Sequence, residues 1–435
     1  MFPFADIGLA ILHNMKFLLL NPFIYVVILL ITLQYRRMIE KERSMYSVRI
    51  NSVADQTIQS IGFGFLGGLF ATALLLVVGV VLNPYDMVYV WVVAVFVALI
   101  NIRYLCFSYA TGILGILAFV TMLLPNGETL PLIGGLWTGV SQLNVPMLIA
   151  LVAILHLTEA MLIWIHGDKK ASPVFLSGSR GKLVGGFTMQ KFWLVPLFII
   201  VAIDPASLQM SPSTSPDGGG TILFPDWWPL LPLSTLLGSG VILGMLPVPA
   251  VLGYGDIAVS RTPRQKAKQT AKWLALYSVV LLMLGLVSQY SPWLLLLAAL
   301  FSAVAHESII VFTQRKEFLD TPMYSKPLKG VRILQVLPNS TAQKLGLTSG
   351  EVILKVNGFP IYHKSELHYA LSLQPVYVKL EIEDLNGEIK FAQTALYQGE
   401  HHSLGIILVP DDDATHYVKI NIDNPLKMLW KKFRR

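Results

Sequence analysis

Apolar runs close to the roughly 20 residues needed to cross a bilayer recur from near the N-terminus to about residue 313. They predict helical spans at 17–34, 61–82, 84–101, 105–124, 146–165, 192–203, 229–252, 273–288 and 292–313. The runs 192–203 and 273–288 are short and could be re-entrant or extend into a flank, so nine spans is the expectation and eight the alternative. From Gln314 the pattern becomes that of a soluble domain. Short alternating runs predict strands near 331–337, 352–356, 376–382, 388–396 and 404–409, with helices near 341–345 and 365–372. The expected fold is a polytopic α-helical membrane bundle over 1–314, a small α+β domain over 315–410 and a basic tail over 411–435.

Composition agrees: hydrophobic residues make up 54% of the chain and charged residues 14%, against roughly 25% charged in an average globular protein. The positions of the charges predict orientation. Arg36, Arg37, Lys41, Arg43 and Arg49 follow the first span, and Arg103 lies between the third and fourth. Lys169, Lys170, Arg180, Lys182 and Lys191 follow the fifth, and Arg261, Arg264, Lys266, Lys268 and Lys272 the seventh. The intervening loops 83–87, 125–145, 204–228 and 289–291 carry no Lys or Arg. Placing the basic loops inside puts the N-terminus outside and the C-terminal domain in the cytoplasm, with only Lys16 on the wrong side. The first run lacks a small-residue cleavage site, so a retained span is expected rather than a signal peptide. Cys106 is the single cysteine, which excludes an internal disulfide. The net charge of +7 sits in juxtamembrane loops, where anionic lipid accounts for it and nucleic acid is not required.

The segment VLPNSTAQKLGLTSGEVILKVNG, residues 336–358, resembles a bacterial-type PDZ domain. Asn339 and Ser340 can cap a helix beginning at Ala342, Gly346 can end it, and Asn357-Gly358 can turn the chain after the next strand. Such domains hold the extended tail of another protein by adding it to a sheet edge. The carboxylate-binding loop should precede Gly330, but SKPLK does not fit it, whereas His402-Ser403-Leu404-Gly405-Ile406-Ile407 does. This predicts a circularly permuted PDZ domain with the last strand as one groove wall and the 365–372 helix as the other. Backbone N–H groups of Leu404, Gly405 and Ile406 would take a carboxylate, with Ser403 and Ile407 beside them and His368 and Leu371 facing the ligand's side chains. The alternative is a closed final strand without an open groove.

Other segments admit two readings. The loop HGDKKASPVFLSGSRGKLVGGFTMQK, 166–191, reads as turn-rich, either docking a partner or lying on headgroups. In the outer loop, SPSTSPDGGGT reads as linker, while Trp227 and Trp228 read as interfacial anchors. Leu426, Leu429, Trp430 and Phe433, interleaved with Lys and Arg, fit a surface-lying amphipathic helix or a disordered tail.

Three constellations invite an enzymatic reading and none completes one. His306-Glu307 begins a zinc motif, but the next residues are Ser308, Ile309 and Ile310, so no second ligand follows at i+4 and no metal cluster is expected. Gly253-Tyr254-Gly255-Asp256 and Tyr85-Asp86 match the paired motifs of aspartyl intramembrane proteases. The predicted topology sets those carboxylates on opposite membrane faces, roughly 30 Å apart, where they cannot share a proton. His156 and Glu159 share one helical face, which suits a helix-to-helix hydrogen bond better than an ion pathway. No catalytic residue and no cofactor is therefore expected.

Across nearly its full length the chain resembles the MinJ-type division-site topology proteins of rod-shaped Gram-positive bacteria. The resemblance rests on SPVFLSGSRGKLVGGF, PVPAVLGYGDIAVSRTPRQKA, AVAHESII, the PDZ motif and the ending LGIILVPDD. It implies a scaffold at poles and septa that bridges a DivIVA-like pole marker to the MinD division inhibitor. The runner-up is an accessory module of a membrane protease or secretion machine.

Overall fold

The computed structural model describes residues 4–46, 48, 50–129, 131, 133–177, 182–203, 228–231, 242–374, 376–396 and 404–411. Its membrane half contains α1 (Phe4–Leu20), α2 (Pro22–Tyr46), α3 (Val53–Val78), β1 (Val81–Leu82), α4 (Pro84–Ile100), α5 (Phe107–Leu123), α6 (Gly134–Ser141) and α7 (Val145–His166). Then follow β2 (Ser172–Ser177), β3 (Leu183–Ile203), β4 (Ile242–Ala258), α8 (Pro263–Val287) and α9 (Pro292–Leu319). Most of these helices begin where a capping side chain meets a proline. Asn83, Thr262 and Ser291 accept from the backbone N–H of Tyr85, Gln265 and Trp293. Pro84, Pro263 and Pro292 follow them at the first helical position, where the missing N–H costs nothing. Asn144 does the same for α7, with Pro146 one residue later.

Among the described residues, five helices are long and apolar enough to cross a membrane: α2, α3, α7, α8 with its 3₁₀ extension, and α9. Three more apolar helices are shorter. α7 is the centre, buried on nearly every side, and packs against α3, α5, α8 and α9. The outward faces of the helices around it, α2, α4, α8 and α9, carry Leu29, Leu30, Val92, Phe96, Val279, Met283 and Val304, all exposed. An apolar surface of that extent is stable against lipid and not against water.

The structure departs from the sequence expectation in the run of spans. The expected first span, 17–34, is divided between α1 and α2 at Asn21-Pro22, where Asn21 caps the second helix through Phe23 N–H at 2.9 Å. The expected helices 192–203 and 229–252 are not helices where described. Residues 183–203 and 242–258 are instead the strands β3 and β4, paired antiparallel with Pro196 opposite Pro249 and Phe198 opposite Pro247. Each interior proline would cost a helix about 3 kcal/mol, whereas a strand tolerates one where no ladder donor is needed. The expected turn-rich loop 166–191 likewise holds an antiparallel pair, β2 with the start of β3, Ser172 opposite Thr188 through Ser177 opposite Leu183.

Backbone polar groups buried at this depth must be satisfied within the protein. The β3 edge achieves this against helices: Phe192 N–H donates to the Tyr35 hydroxyl at 3.1 Å and Phe198 N–H to Thr72 Oγ1 at 3.1 Å. Pro196, between them, has no N–H to satisfy. α3 approaches closely enough because Gly64 and Gly68 face the strand; a Cβ on either would collide with the backbone of Leu194 or Pro196. Trp228, expected at the membrane interface, is buried and donates its indole N–H to Leu76 O at 2.7 Å. Trp227, the 204–227 linker and the basic tail beyond Asp411 lie outside the described residues.

The C-terminal region contains β5 (Val331–Val336), α10 (Thr341–Lys344), β6 (Val352–Val356), β7 (Phe359–Pro360), α11 (Lys364–Leu373), β8 (Tyr377–Glu383), β9 (Ile389–Ala395) and β10 (Ile406–Leu408). The strands form one sheet in the order β10-β5-β6-β8-β9, with β7 paired to β6. Ser340 caps α10, Gly346 (φ 70°) ends it, and Asn357-Gly358 (φ 52° and 87°) makes the two-residue turn from β6 to β7. Val331, Ile333, Ile353, Leu367, Leu371, Val378 and Leu380 are among the residues that close a separate core between sheet and helix.

This region is seated on the membrane half. Met323 N–H donates to Val259 O at 2.9 Å and Gly185 N–H to Tyr324 O at 2.8 Å. Near the end of α9, buried Glu317 accepts from the N–H groups of Val259, Ser260 and Arg261 and pairs with the Arg261 guanidinium at 2.8 Å. One carboxylate thus closes the turn after β4 onto the helix leading into the C-terminal region.

Candidate functional site

The last strand, β10, is the sheet-edge strand beside β5, with Ile406 opposite Val336. Its approach is set by Gly405, at φ 74°, whose carbonyl accepts from Leu337 N–H at 2.9 Å. A Cβ there would meet the Ser340 side chain, so the close crossing of the two segments requires glycine. Leu404 O accepts from Ala342 N–H at 2.8 Å, which ties the same segment to α10.

A cleft of about 1170 Å³ runs between β10 and α11. Leu404, Ile406 and Ile407 line one side, and His368 and Leu371 the other. Gly405 lies in the wall between Leu404 and Ile406, and Ser403 lies outside the described residues. The volume falls above the roughly 300–1,000 Å³ typical of small-molecule pockets. The entry to α11 is rigid: Glu366 accepts from Tyr362 N–H at 2.6 Å and His363 N–H at 3.1 Å. These bonds hold its carboxyl below the usual glutamate range.

Sequence reasoning missed the far wall. Tyr46 from the end of α2 and Phe175 from β2 also line the cleft, their rings edge-on with centroids 5.3 Å apart. Lys326 and Asp411, paired at 2.9 Å, close one end. The apolar VFL in the 166–191 loop was the available signal, since such a triplet in a polar loop must pack somewhere.

The candidate acid groups are kept apart. Asp86 lies in the first turn of α4 and accepts from Asn144 N–H at 3.3 Å. Asp256 lies in β4, takes the Thr270 hydroxyl at 2.8 Å and sits 3.5 Å from the Lys266 ammonium. They share no hydrogen-bond partner. Where no metal cluster was expected, the fold brings one possible ligand group together: ligand atoms of Cys106, His156 and His306 lie within 4.8 Å of one another. Sequence inspection had reached each residue separately, but intervals of 50 and 150 positions carry no motif. Glu307, beside this cluster, pairs with Arg103 at 2.6 Å and accepts from the Tyr109 hydroxyl at 2.6 Å.

No protein-family model matches the chain. It is 28% identical over 410 residues to the cell division topological determinant MinJ of Bacillus subtilis (strain 168), covering 93% of this chain and 96% of that protein. The chain resembles the MinJ-type division topology proteins along nearly its whole length. A probable cell division topological determinant MinJ of Lacticaseibacillus paracasei is also 28% identical, over 61% of this chain and 66% of that protein. A shorter likeness, 34% over 71 residues, covers 16% of this chain and 15% of the rat serine protease HTRA3.

Proposed function

We propose that this protein is a non-enzymatic membrane scaffold that helps to place the division septum. The observation that carries this reading is the end-to-end likeness to a cell division topological determinant, which extends through both the membrane half and the C-terminal region. The proposed arrangement is a membrane domain over 1–314, a cytoplasmic PDZ domain over 315–410 and a basic tail over 411–435 held by anionic lipid. The basic-loop pattern supports an N-terminus outside and the soluble domain within. In this reading the protein bridges a DivIVA-like pole and septum marker to a MinD-like inhibitor, one through the β10–α11 cleft and the other through the membrane half. That Asp86 and Asp256 lie in different elements, with different hydrogen-bond partners, supports a reading without an aspartyl dyad.

Imaging a fluorescent fusion in dividing cells tests the function: enrichment at septa and poles is expected. Uniform membrane labelling, with division sites placed normally when the gene is deleted, would reject it. That second outcome would favour the accessory role beside a membrane protease, for which the 71-residue likeness to HTRA3 is the supporting observation.

A further inference from the structure

The cluster of Cys106, His156 and His306 joins three helices of the bundle. Cys106 precedes α5, His156 lies in the middle of α7 and His306 in the middle of α9. Both imidazoles turn Nε2 toward the same sulfur: Cys106 Sγ is 3.4 Å from His156 Nε2 and 3.9 Å from His306 Nε2. A tetrahedral zinc with Zn–S of about 2.3 Å and Zn–N of about 2.0 Å holds sulfur and nitrogen about 3.5 Å apart, so the spacing already approximates a ligand set.

The surroundings fit as well. His156 Nδ1 lies 2.8 Å from Val152 O, and the bond to that carbonyl makes Nδ1 the donor, leaving the Nε2 lone pair aimed at the cluster. The His306 ring is held between Tyr109 and Tyr277, with centroids at 5.2 and 5.7 Å, so its orientation is fixed by packing. Its Nδ1 has no hydrogen-bond partner among the described residues, so packing alone, and no outer hydrogen bond, orients this ring.

We propose that Cys106, His156 and His306 bind one zinc ion, clamping α5, α7 and α9 together. Binding replaces the thiol proton, which is released to solvent, with a sulfur–zinc bond; no electron is transferred. Three protein ligands leave one coordination position to water or an outside ligand. Thiolate with imidazole selects zinc over magnesium or calcium, which take oxygen ligands.

Cobalt titration of the full-length protein in detergent tests this, with zinc used to compete. One equivalent should give a thiolate-to-cobalt charge-transfer band with the intense visible bands of tetrahedral cobalt, and zinc should abolish both. Cys106→Ser, which can keep a hydrogen bond to His156, should lose the charge-transfer band. His306→Ala should weaken zinc binding beyond the roughly 10–100-fold cost of losing an outer partner alone. A monodisperse parent protein that shows no thiolate band and no stoichiometric zinc overturns the proposal. So does a charge-transfer band that survives Cys106→Ser. The parent spectrum decides even if a variant fails to fold.

Discussion

At the scale of single residues, Glu317 has the largest local consequence. Its carboxylate serves three backbone donors and a guanidinium at once while almost wholly buried. Glu317→Ala would strand those donors and leave the Arg261 charge with Asp320 as its remaining acidic partner, at 2.7 Å. The expected loss is about 3 kcal/mol of stability, seen as a lower thermal midpoint in detergent. Gly405→Val should act on the cleft instead. A β-branched residue at φ 74° is strained by about 1–3 kcal/mol, and its side chain would push β10 from Ser340. Binding of a captured tail should fall while membrane insertion is unchanged. Glu366 gives a pH-dependent signal. Its carboxyl is held below its ordinary range by backbone donors, so its stabilisation is present above the unfolded value and lost as pH falls through the folded one. Hydrogen exchange at Tyr362 and His363 should therefore be faster in Glu366→Ala at neutral pH, and parent and variant should converge in acid.

At the scale of elements, the sequence was legible wherever local chemistry decides. The helices after Asn83 and Ser291 start where the expected spans do, and the one after Thr262 extends its span by nearly three polar turns, because cap and proline fix the start. In the C-terminal region, β6 falls on its expected residues and α11 extends one residue beyond expectation at each end. The β3–β4 pair was not legible, because an apolar run does not distinguish a buried strand from a short span. The information that resolves it lies elsewhere, in Pro196, Pro247 and Pro249 and in the facing glycines of α3. Those glycines make the pairing testable. Gly64→Leu or Gly68→Leu would drive a side chain into the backbone of Leu194 or Pro196. Overpacking of that kind costs about 1–3 kcal/mol or more. Limited proteolysis should show β3 and β4 cut faster in either variant, whereas Gly62→Leu, at a position with open space around it, should behave as the parent.

At the scale of the whole molecule, the C-terminal region is not an appendage on a linker. Tyr324, Leu334 and Ile407 belong to the same continuous apolar cluster as Trp193 of β3 and the α7 core, and Tyr46 and Phe175 line the cleft from the membrane side. That continuity could not be read from sequence, because nothing in the order of elements says which face of the sheet meets which strand. It couples the two halves: a ligand entering the cleft touches α2 and β2 as well as β10 and α11. A chain ending after Leu319 should still insert, because the helices satisfy their own backbones and the β3 edge draws its donors' partners from α2 and α3. Removal would uncover the apolar surface beneath Tyr324 and Leu334, so lower stability in detergent is expected alongside the loss of one partner. Pull-downs comparing full-length and truncated protein, with His368→Asp in the full-length chain as a third sample, separate the two effects, because His368 lines the cleft from an exposed position outside the core. If the bridge is real, truncation and His368→Asp lose the same partner, and both retain those that dock on the membrane half. Loss of every partner on truncation but none with His368→Asp would mean that the C-terminal region braces the bundle and does not capture a tail.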